Sequence, residues 1–502
     1  MISRDSRAAL PGRSAGTAGW RAILAAGMGL SGLTTAAVLV HGYHPAVEDA
    51  EIYLPAIRRL LNPGLYPHDA VFFSAQTKLS LFPQLIALSI RASHIPFDWA
   101  LFFWHAVSIF LLLGGCWRIA GLCLSNRRAQ WFGVALVASL LTMPVAGTAL
   151  YIMDQYLCAR SLSTAASVWS VARFLDRKWR SGLLWLLCTF AIHPLMAAFV
   201  VAYLAIWFLV SRAARLHVGR NAAMFLALPA TDAYRQAVGT RSYLFLSNWR
   251  WHEWLGALAP LAILWWLSRM ARKSGATTFE ILARSLAIFG LLFLCAGVFL
   301  GFTHASPGWA RLQPMRSLLL VYIIMLLLGG GLLEQFVFRR RIWLSGTLLL
   351  VTALAMFYAQ RQQFPSTPHI EGPWRTATND WVGGFQWVRD HTPPDSYFAL
   401  NPGFMTMPGE DEHGFRALAE RSRLADIVKD PGAVTIAPSL AESWQAQVEG
   451  LEGWQNFQRS DFSRLRQRFG VNWVVLEQPG RSGLDCPFQN RSLLVCRVPN
   501  GD

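Results

Sequence analysis

The chain has 502 residues, of which 54% are hydrophobic, 15% are charged and 22 are tryptophan. Because soluble globular domains carry about 25% charged residues, this composition excludes an ordinary soluble enzyme and indicates a membrane protein. The formal net charge of +16 raises the alternative of nucleic-acid binding. The Arg and Lys residues, however, cluster at the ends of apolar runs, which is typical of cytoplasmic loops beside anionic lipid. These clusters occupy positions 126–128, 176–180, 211–215, 269–273 and 339–341.

The first apolar segment follows a short basic N-terminus and has no good small-x-small cleavage site after it. We therefore interpret residues 1–19 as a cytoplasmic tail and residues 20–41 as a transmembrane helix rather than a cleaved signal peptide. Similar runs recur within residues 20–360, and a helix of about 17–25 apolar residues crosses a bilayer. With the basic clusters inside, the sequence predicts about eleven transmembrane helices, a cytoplasmic N-terminus and an extracytoplasmic C-terminus. The further spans are predicted at about 98–124, 131–149, 160–175, 181–195, 196–211, 220–230, 255–269, 280–302, 314–335 and 342–359.

Two apolar segments fit this arrangement less well. Residues 220–230 are short for a span, and if they do not cross the membrane, the C-terminus changes side. Residues 79–93 are apolar, but counting them as a span would place Arg127 and Arg128 outside. We expect 79–93 to form a helix that lies in the outer interface or re-enters the membrane.

The first outer loop, predicted at 42–78, begins with a cluster of carboxylates. Glu48, Asp49 and Glu51 stand at the start of AEIYLPAIRRLL, which predicts a helix that stops at residues 62–64. Negative charge before a helix suits its positive end, so simple capping is one interpretation. The other is that clustered acids at a membrane surface bind a divalent cation, take a proton from an acceptor, or do both.

Further ionisable residues are predicted on the same side. Asp154 and Arg160 fall in an outer loop between two spans, and His193 precedes a proline in an otherwise apolar stretch. A polar residue at such a position is costly and suggests a functional site. A His-Pro pair also marks a helix break in which the imidazole satisfies a freed carbonyl, so both interpretations of His193 stay open.

Arg311 and Arg316 open a span from the outer side, against the trend that basic residues stay inside. An anionic group should therefore compensate them. A phosphate is one candidate, because a guanidinium presents a bidentate fork to it, and a salt bridge to an acid of the first loop is the other. His304, nearby in GFTHASPGW, can join either arrangement.

The composition of the sequence changes at about residue 361, where the apolar spans end and Pro, Gly, Asp and Glu become frequent. Residues 361–502 predict a small extracytoplasmic α/β domain. Its predicted elements are a helix at about 378–391, a strand SYFAL, a helix and a buried strand in SDFSRLRQRFGVNWVVLEQ, and a strand SLLVCRV. Cys486 and Cys496 are predicted to form a disulfide if this domain lies outside. The acidic run at 410–413 predicts a solvated loop.

The whole layout resembles the C-type (GT-C) superfamily of integral-membrane glycosyltransferases, which includes protein O-mannosyltransferases and oligosaccharyltransferase catalytic subunits. A short N-terminus and one span precede a loop with paired acids, VEDAEIY, and many spans precede a C-terminal α/β domain. The segments NPGLYPHD, FQWVRDHTPPDSYFAL and FGVNWVVLEQ are similar to short sequence motifs of uncharacterised bacterial members.

This resemblance implies a sugar donor linked to polyprenyl phosphate at the outer leaflet and an acidic residue of the first loop near the acceptor. Asp49 is the best match for that acid and Glu48 the second. Asp154 is a candidate second acid, and Arg311 or Arg316 would hold the donor phosphate. Because some members use a divalent metal, Mg or Mn held by Asp49 and Asp154 is an expectation.

The predicted function is therefore that of a membrane glycosyltransferase, which moves a hexose or pentose to a cell-envelope acceptor on the periplasmic face of the inner membrane. Its predicted catalytic residues are Asp49 and Glu48. Its predicted substrate-binding residues are Glu51, Asp154, Arg160, His193, His304, Arg311 and Arg316. A transporter or flippase of an anionic lipid or glycan, and a non-catalytic protein with a GT-C scaffold, stay open as alternatives. The expected partners are the lipid-linked sugar and membrane lipids, with no nucleic acid.

Overall fold

The computed structural model describes residues 15–212, 231–302, 312–339, 341–375, 379–480 and 483–499. Up to residue 363 its regular structure is mostly α-helical. In chain order the helices are α1 (Ala15–His41), α2 (Ala50–Leu61), α3 (Val71–Thr77), α4 (Phe82–Ser93), α5 (Phe97–Cys123), α6 (Arg127–Ser139), α7 (Ala159–Leu175), α8 (Trp179–Ile192), α9 (Pro194–Arg212), α10 (Asp232–Gly239), α11 (Trp251–Lys273), α12 (Thr277–Phe302), α13 (Leu318–Leu332) and α14 (Ile342–Gln363).

Seven helices within these ranges are long and apolar enough to cross a membrane: α1, α5, α9, α11, α12, α13 with its flanking turns, and α14. They differ in how much of their surface the protein itself buries. The apolar window of the α13 segment is 78% buried, whereas that of α14 is 6% buried. Leu350, Leu354 and Tyr358 of α14 are exposed. An apolar helix surface left open in this way is what a membrane protein presents to lipid.

The prediction of about eleven spans is confirmed in part. The predicted spans 160–175 and 181–195 are helical as α7 and α8, but these have only 17 and 14 residues. Residues 220–230 lie outside the described ranges. The structure therefore supports a multi-pass membrane protein, and its described ranges contain fewer long helices than the sequence predicted.

The predicted span 131–149 is corrected. Helix α6 ends at Ser139, and residues 140–158 follow an irregular path. Pro144 has no amide hydrogen to donate and disfavours helical backbone in Met143, so α6 has no simple continuation. Irregular backbone between membrane helices is tolerated where it is buried in protein or lines a wet cavity.

The segment 79–93 contains a helix, as predicted. In α4, Phe82 and Ile86 belong to one buried cluster with Ile57 of α2, while Leu88 is exposed. This two-sided burial suits a helix that lies on the surface of the first loop. The predicted helix AEIYLPAIRRLL is confirmed as α2, with the same residues.

Within residues 379–480 and 483–499, the C-terminal part of the chain has five α-helices and a mixed sheet, which confirms the prediction of mixed α and β structure. The helices are α15 (Asp380–His391), α16 (Phe415–Ala419), α17 (Asp430–Ile436), α18 (Ala441–Gly450) and α19 (Arg459–Phe469). The strands are β1 (Tyr397–Ala399), β2 (Ser422–Arg423), β3 (Trp473–Glu477), β4 (Asp485–Gln489) and β5 (Leu493–Arg497). The sheet order is β2-β1-β3-β5-β4, in which β2, β1 and β3 are parallel and the other pairs antiparallel.

Both faces of this sheet are covered, which explains the continuous apolar run VNWVVL. Trp473 and Val475 of β3 belong to one hydrophobic cluster, and Val474 and Leu476 belong to another. Such alternation follows from the two-residue period of a strand. A disulfide joins Cys486 of β4 to Cys496 of β5, the pair that the sequence predicted on the condition that this domain lies outside.

The C-terminal domain is joined directly to the first loop by backbone hydrogen bonds. The Glu48 amide donates to the Glu412 carbonyl at 2.9 Å, and the Gly414 amide donates to the Ala46 carbonyl at 2.8 Å. The start of α2 is therefore held against this domain, next to residues that are more than 360 positions away in sequence.

Candidate functional site

A cavity of about 240 Å³ lies where the first loop, the segment 140–158 and the C-terminal domain meet. Its acidic lining residues are Glu48, Asp49, Asp154 and Glu412. Its basic lining residues are Arg160, Arg241, Arg316 and Lys429. Five residues predicted from the sequence are thus brought together. We call this space the charged cavity.

Asp49 precedes α2 but does not cap it. It occupies the N-cap position without a side-chain hydrogen bond to the first turn of α2, so capping does not account for it. Its Oδ2 accepts a hydrogen bond from Arg160 Nη1 at 3.5 Å, and its Oδ1 lies 3.7 Å from Lys429 Nζ. Glu48 contacts the same ammonium. Both carboxylates therefore face cations of the cavity.

Arg160 joins the two acids that were predicted as metal ligands. Its Nε and Nη2 donate to Asp154 Oδ2 at 3.1 and 2.8 Å, while Nη1 reaches Asp49. The side chains of Arg160 and Asp154 are only 9% and 4% exposed. A buried carboxylate needs such a partner, because a lone buried charge is costly. We therefore infer that this ion pair stabilises the wall of the cavity.

Arg316 lies in the 3₁₀ turn Pro314–Ser317 that precedes α13. Its guanidinium stands over the Tyr243 ring at 6.0 Å, and its Nε is buried with no hydrogen-bond partner in the described part of the chain. The salt bridge to a first-loop acid, one of the two predictions for this residue, is not formed among the described residues. A half-buried guanidinium without a counter-ion is suited to an anionic ligand.

The remaining predicted basic residues are placed differently. His193 sits in the break between α8 and α9, and its Nδ1 is buried without a hydrogen-bond partner among the described residues. His193 is close enough to Arg316 and Arg160 to interact electrostatically with both, but it does not line the charged cavity. His304 and Arg311 lie outside the described residues.

Glu51, which the sequence predicted to bind substrate, does not line the charged cavity. It is fully buried, with Oε1 2.8 Å from Arg423 and 3.7 Å from Arg416, and Oε2 accepts from the Ala417 amide at 3.2 Å. All three partners belong to the C-terminal domain. Two positions in a helical turn rotate a side chain by about 200°, so Glu51 points away from Asp49 and anchors the domain.

The acidic run at 410–413, predicted to be a solvated loop, is instead almost fully enclosed. Glu410 and His413 are fully buried, and Glu412 lines the charged cavity. Burial raises the pKa of Glu412, although a hydrogen bond from Gln363 at 3.4 Å favours its charged form. A carboxyl group with a raised pKa beside other acids is a feature of acid–base sites.

Left-handed backbone is concentrated in the cavity wall. Glu48, Ala146, Ala149 and Glu412 have φ values of 55°, 48°, 53° and 61°, and all four line the charged cavity. This conformation costs roughly 1–2 kcal/mol for a residue other than glycine. Strain of this kind is often found at functional sites, where the surrounding structure holds it.

The residues present do not fit the expected divalent cation. The described residues contain no group of three or more His, Cys, Asp or Glu with the geometry of a metal site. Between Asp49 and Asp154 the guanidinium of Arg160 already contacts one oxygen of each carboxylate, and Lys429 stands beside the other Asp49 oxygen. A dication there would be repelled by the Arg160 guanidinium and the Lys429 ammonium. The proposed sugar transfer therefore has no step that uses a metal.

Sequence reasoning did not identify Lys429, Glu412, Arg241 and Tyr243 as parts of the site. Arg241 and Tyr243 fall in a predicted outer loop, which is a weak signal, and the run containing Glu412 was noted as acidic. Lys429 stands in DIVKDPG with no local pattern. Its place in the cavity results entirely from the docking of the C-terminal domain on the first loop.

No protein-family model matches the chain, and no curated protein matches it. Among solved structures, a cryo-EM structure of a mutant arabinofuranosyltransferase AftD from Mycobacteria is similar to 96% of this chain, with a TM-score of 0.42 and 14% sequence identity. The match covers 42% of the AftD chain, so this chain spans less than half the length of that protein. A likeness at this level carries no argument about function, which must come from the cavity.

Proposed function

We propose that this protein is a membrane glycosyltransferase that moves a sugar from a polyprenyl-phosphate donor to a cell-envelope acceptor at the outer face of the inner membrane. The observation that carries the proposal is that first-loop carboxylates share one cavity with a guanidinium whose Nε has no hydrogen-bond partner among the described residues. Asp49, Arg241 and Arg316 come from three distant segments and line the same space. The resemblance of the sequence to C-type glycosyltransferases supports a lipid-linked sugar as donor.

Glycosyl transfer from a phosphate needs a cation and a base within reach of one sugar. The bond between the anomeric carbon and the phosphate oxygen breaks, and its electron pair leaves with the phosphate, whose growing charge a cation stabilises. The acceptor hydroxyl forms the new bond to the anomeric carbon and gives its proton to a carboxylate. Arg316 and Arg241 are the cations suited to the first task. Asp49, with Glu48 beside it, is the base suited to the second.

The positions of the basic residues support an outer cavity. Helix α7 starts beside Arg160 in the cavity and carries Arg173 in its last turn, about 20 Å further along its axis. The α13 segment likewise runs from Arg316 in the cavity to Arg339 and Arg341 beyond its far end. Because Arg and Lys concentrate on the cytoplasmic side, we place the cavity at the opposite, outer side.

The direct test is sugar transfer by the purified protein in proteoliposomes, with radiolabelled sugars on polyprenyl phosphate as donors and envelope extract as acceptor. We expect Asp49→Asn to lower the rate about 100-fold or more, the usual contribution of a general base. Asp232→Asn is the matched control, because the Asp232 side chain on α10 is 95% exposed. A folded Asp49→Asn protein with the wild-type rate would contradict the role of Asp49. A wild-type protein that transfers no sugar from any such donor would contradict the function.

A further inference from the structure

Lys429 brings a positive charge of the C-terminal domain into the charged cavity. It immediately precedes α17, and its side chain is 7% exposed. Its ammonium contacts Glu48 and lies 3.7 Å from Asp49 Oδ1. A lysine buried to this degree is rare unless paired, and both of its partners belong to the first loop.

The backbone of Lys429 is fixed from two sides. Its amide donates to Asp426 Oδ1 at 2.7 Å, and its carbonyl accepts from Arg241 Nη2 at 2.8 Å. A Cβ atom placed on Gly432 would lie 2.7 Å from the same Arg241 nitrogen, so α17 and the segment after α10 are in close contact. The ammonium is therefore delivered to the carboxylates from a rigid support, as a positioned group requires.

The ammonium lies beside the oxygen of Asp49 that Arg160 does not contact. Arg160 Nη1 contacts Asp49 Oδ2, whereas Lys429 Nζ lies 3.7 Å from Asp49 Oδ1 and also contacts Glu48. The two cations therefore hold the Asp49 carboxylate from both sides, and Lys429 links it to Glu48. A carboxylate held in this way keeps one direction into the cavity, as a group that must meet a reacting atom requires.

We propose that Lys429 is a positioning residue of the transfer site, which holds the Asp49 and Glu48 carboxylates aimed into the cavity. This inference rests on the proposed function. In the transfer step the acceptor hydroxyl proton goes to Asp49 as its oxygen bonds the anomeric carbon, and the electron pair of the broken bond leaves with the lipid phosphate. Lys429 exchanges no atom with either substrate. The C-terminal domain is thus part of the transfer site and not a separate binding module.

The test is the measurement of kcat, and of KM for the lipid-linked donor, in sugar transfer by the full-length protein for wild type, Lys429→Gln and Lys429→Arg. We expect Lys429→Gln to lower kcat about 10-fold or more, because a misplaced carboxylate no longer meets the acceptor hydroxyl. The KM for the donor should stay unchanged, since Arg316 and Arg241 hold its phosphate, and Lys429→Arg should keep most of the wild-type kcat. Lys78→Gln is the control, since Lys78 is an exposed residue of the first loop.

A purely structural role of Lys429 would reduce the fraction of folded protein and leave kcat per folded molecule unchanged, and that result would overturn the inference. Where Lys429→Gln lowers the melting temperature, the double variant Glu48→Gln/Lys429→Gln removes both charges together and is compared with Glu48→Gln alone. We expect the double variant to have the lower kcat, because Asp49 has lost its contact with Lys429. Equal values of kcat in the two folded variants would also overturn the inference. A wild-type protein without transfer activity would instead contradict the proposed function.

Discussion

Replacing Arg316 by Gln separates ligand binding from folding. The Arg316 guanidinium makes no ion pair within the described ranges, and its Nε has no hydrogen-bond partner there. Its removal breaks no salt bridge among the residues that the structure describes, so we expect the free energy of unfolding to change by less than about 1 kcal/mol. A loss of transfer by a protein of normal stability would then report on the anionic ligand.

The expected loss follows from the contact that Arg316 can make. A fixed donor aimed at charge that develops in the transition state is worth about 2.7–4 kcal/mol, or about 100- to 1,000-fold in rate. Arg241 remains in the cavity, so we expect the lower end, about 100-fold. Arg316→Lys keeps the charge but loses the planar fork, and its loss should be smaller.

The assay is the initial rate of transfer against the concentration of the polyprenyl-phosphate sugar in proteoliposomes. Arg235→Gln is the matched control, because the Arg235 side chain on α10 is 61% exposed. The reasoning is refuted if Arg316→Gln keeps the wild-type kcat/KM for the donor. It is refuted equally if Arg235→Gln loses as much activity as Arg316→Gln.

Other outcomes concern stability, pH and metal. Glu51→Ala should lower the free energy of unfolding by about 3–5 kcal/mol, because the buried guanidinium groups of its partners lose a carboxylate. Thermal unfolding in detergent measures this change. A fall in melting temperature no larger than that of Glu452→Ala, at an exposed position, would contradict it. Although burial opposes both charges, Glu371 and His413 stabilise each other, which lowers the pKa of Glu371 to about 2 and raises that of His413 to about 9. The ordinary pKa values of these groups are 4.5 for Glu and 6.5 for His. The pair should therefore make its full contribution to the free energy of unfolding between pH 4.5 and pH 6.5, and lose it as the pH rises through about 9 or falls through about 2. His413→Gln should flatten the alkaline loss of melting temperature, and an unchanged slope would exclude this pair as its source. EDTA should leave the transfer rate unchanged, because cations already contact the cavity carboxylates, and a rate that Mg²⁺ restores would contradict this.

The parts of the fold that depend on local patterns could be predicted from the sequence. The residues of α2 and its stop at Asn62 follow from an amphipathic period and an Asn-Pro-Gly turn, and the strand VNWVVL follows from its apolar run. The irregular path after Ser139 was missed because its apolar composition suggested a span, while the effect of Pro144 on the helix was not weighed.

The candidate site could be predicted only for residues with an unusual position in the membrane pattern. Asp49 and Arg316 stood out because charges at the outer lip of a span need a reason. Lys429 and Glu412 carried no such signal. Lys429 contacts Glu48 and Asp49 of the first loop, and Glu412 contacts Gln363 of α14, and these contacts exist only after the domain has docked. Glu51 looked equivalent to Asp49 in sequence, yet two helical positions, a rotation of about 200°, direct it to a different set of charges.

The central claim, that the charged cavity binds a lipid-linked phosphate, is tested most directly by a cryo-EM structure of the wild-type protein in nanodiscs that contain polyprenyl phosphate. We predict phosphate density within hydrogen-bond distance of the Arg316 guanidinium, with the polyprenyl chain leading out to the outer leaflet. Lipid phosphate bound elsewhere on the protein while the charged cavity holds only water, at saturating lipid, would contradict the account.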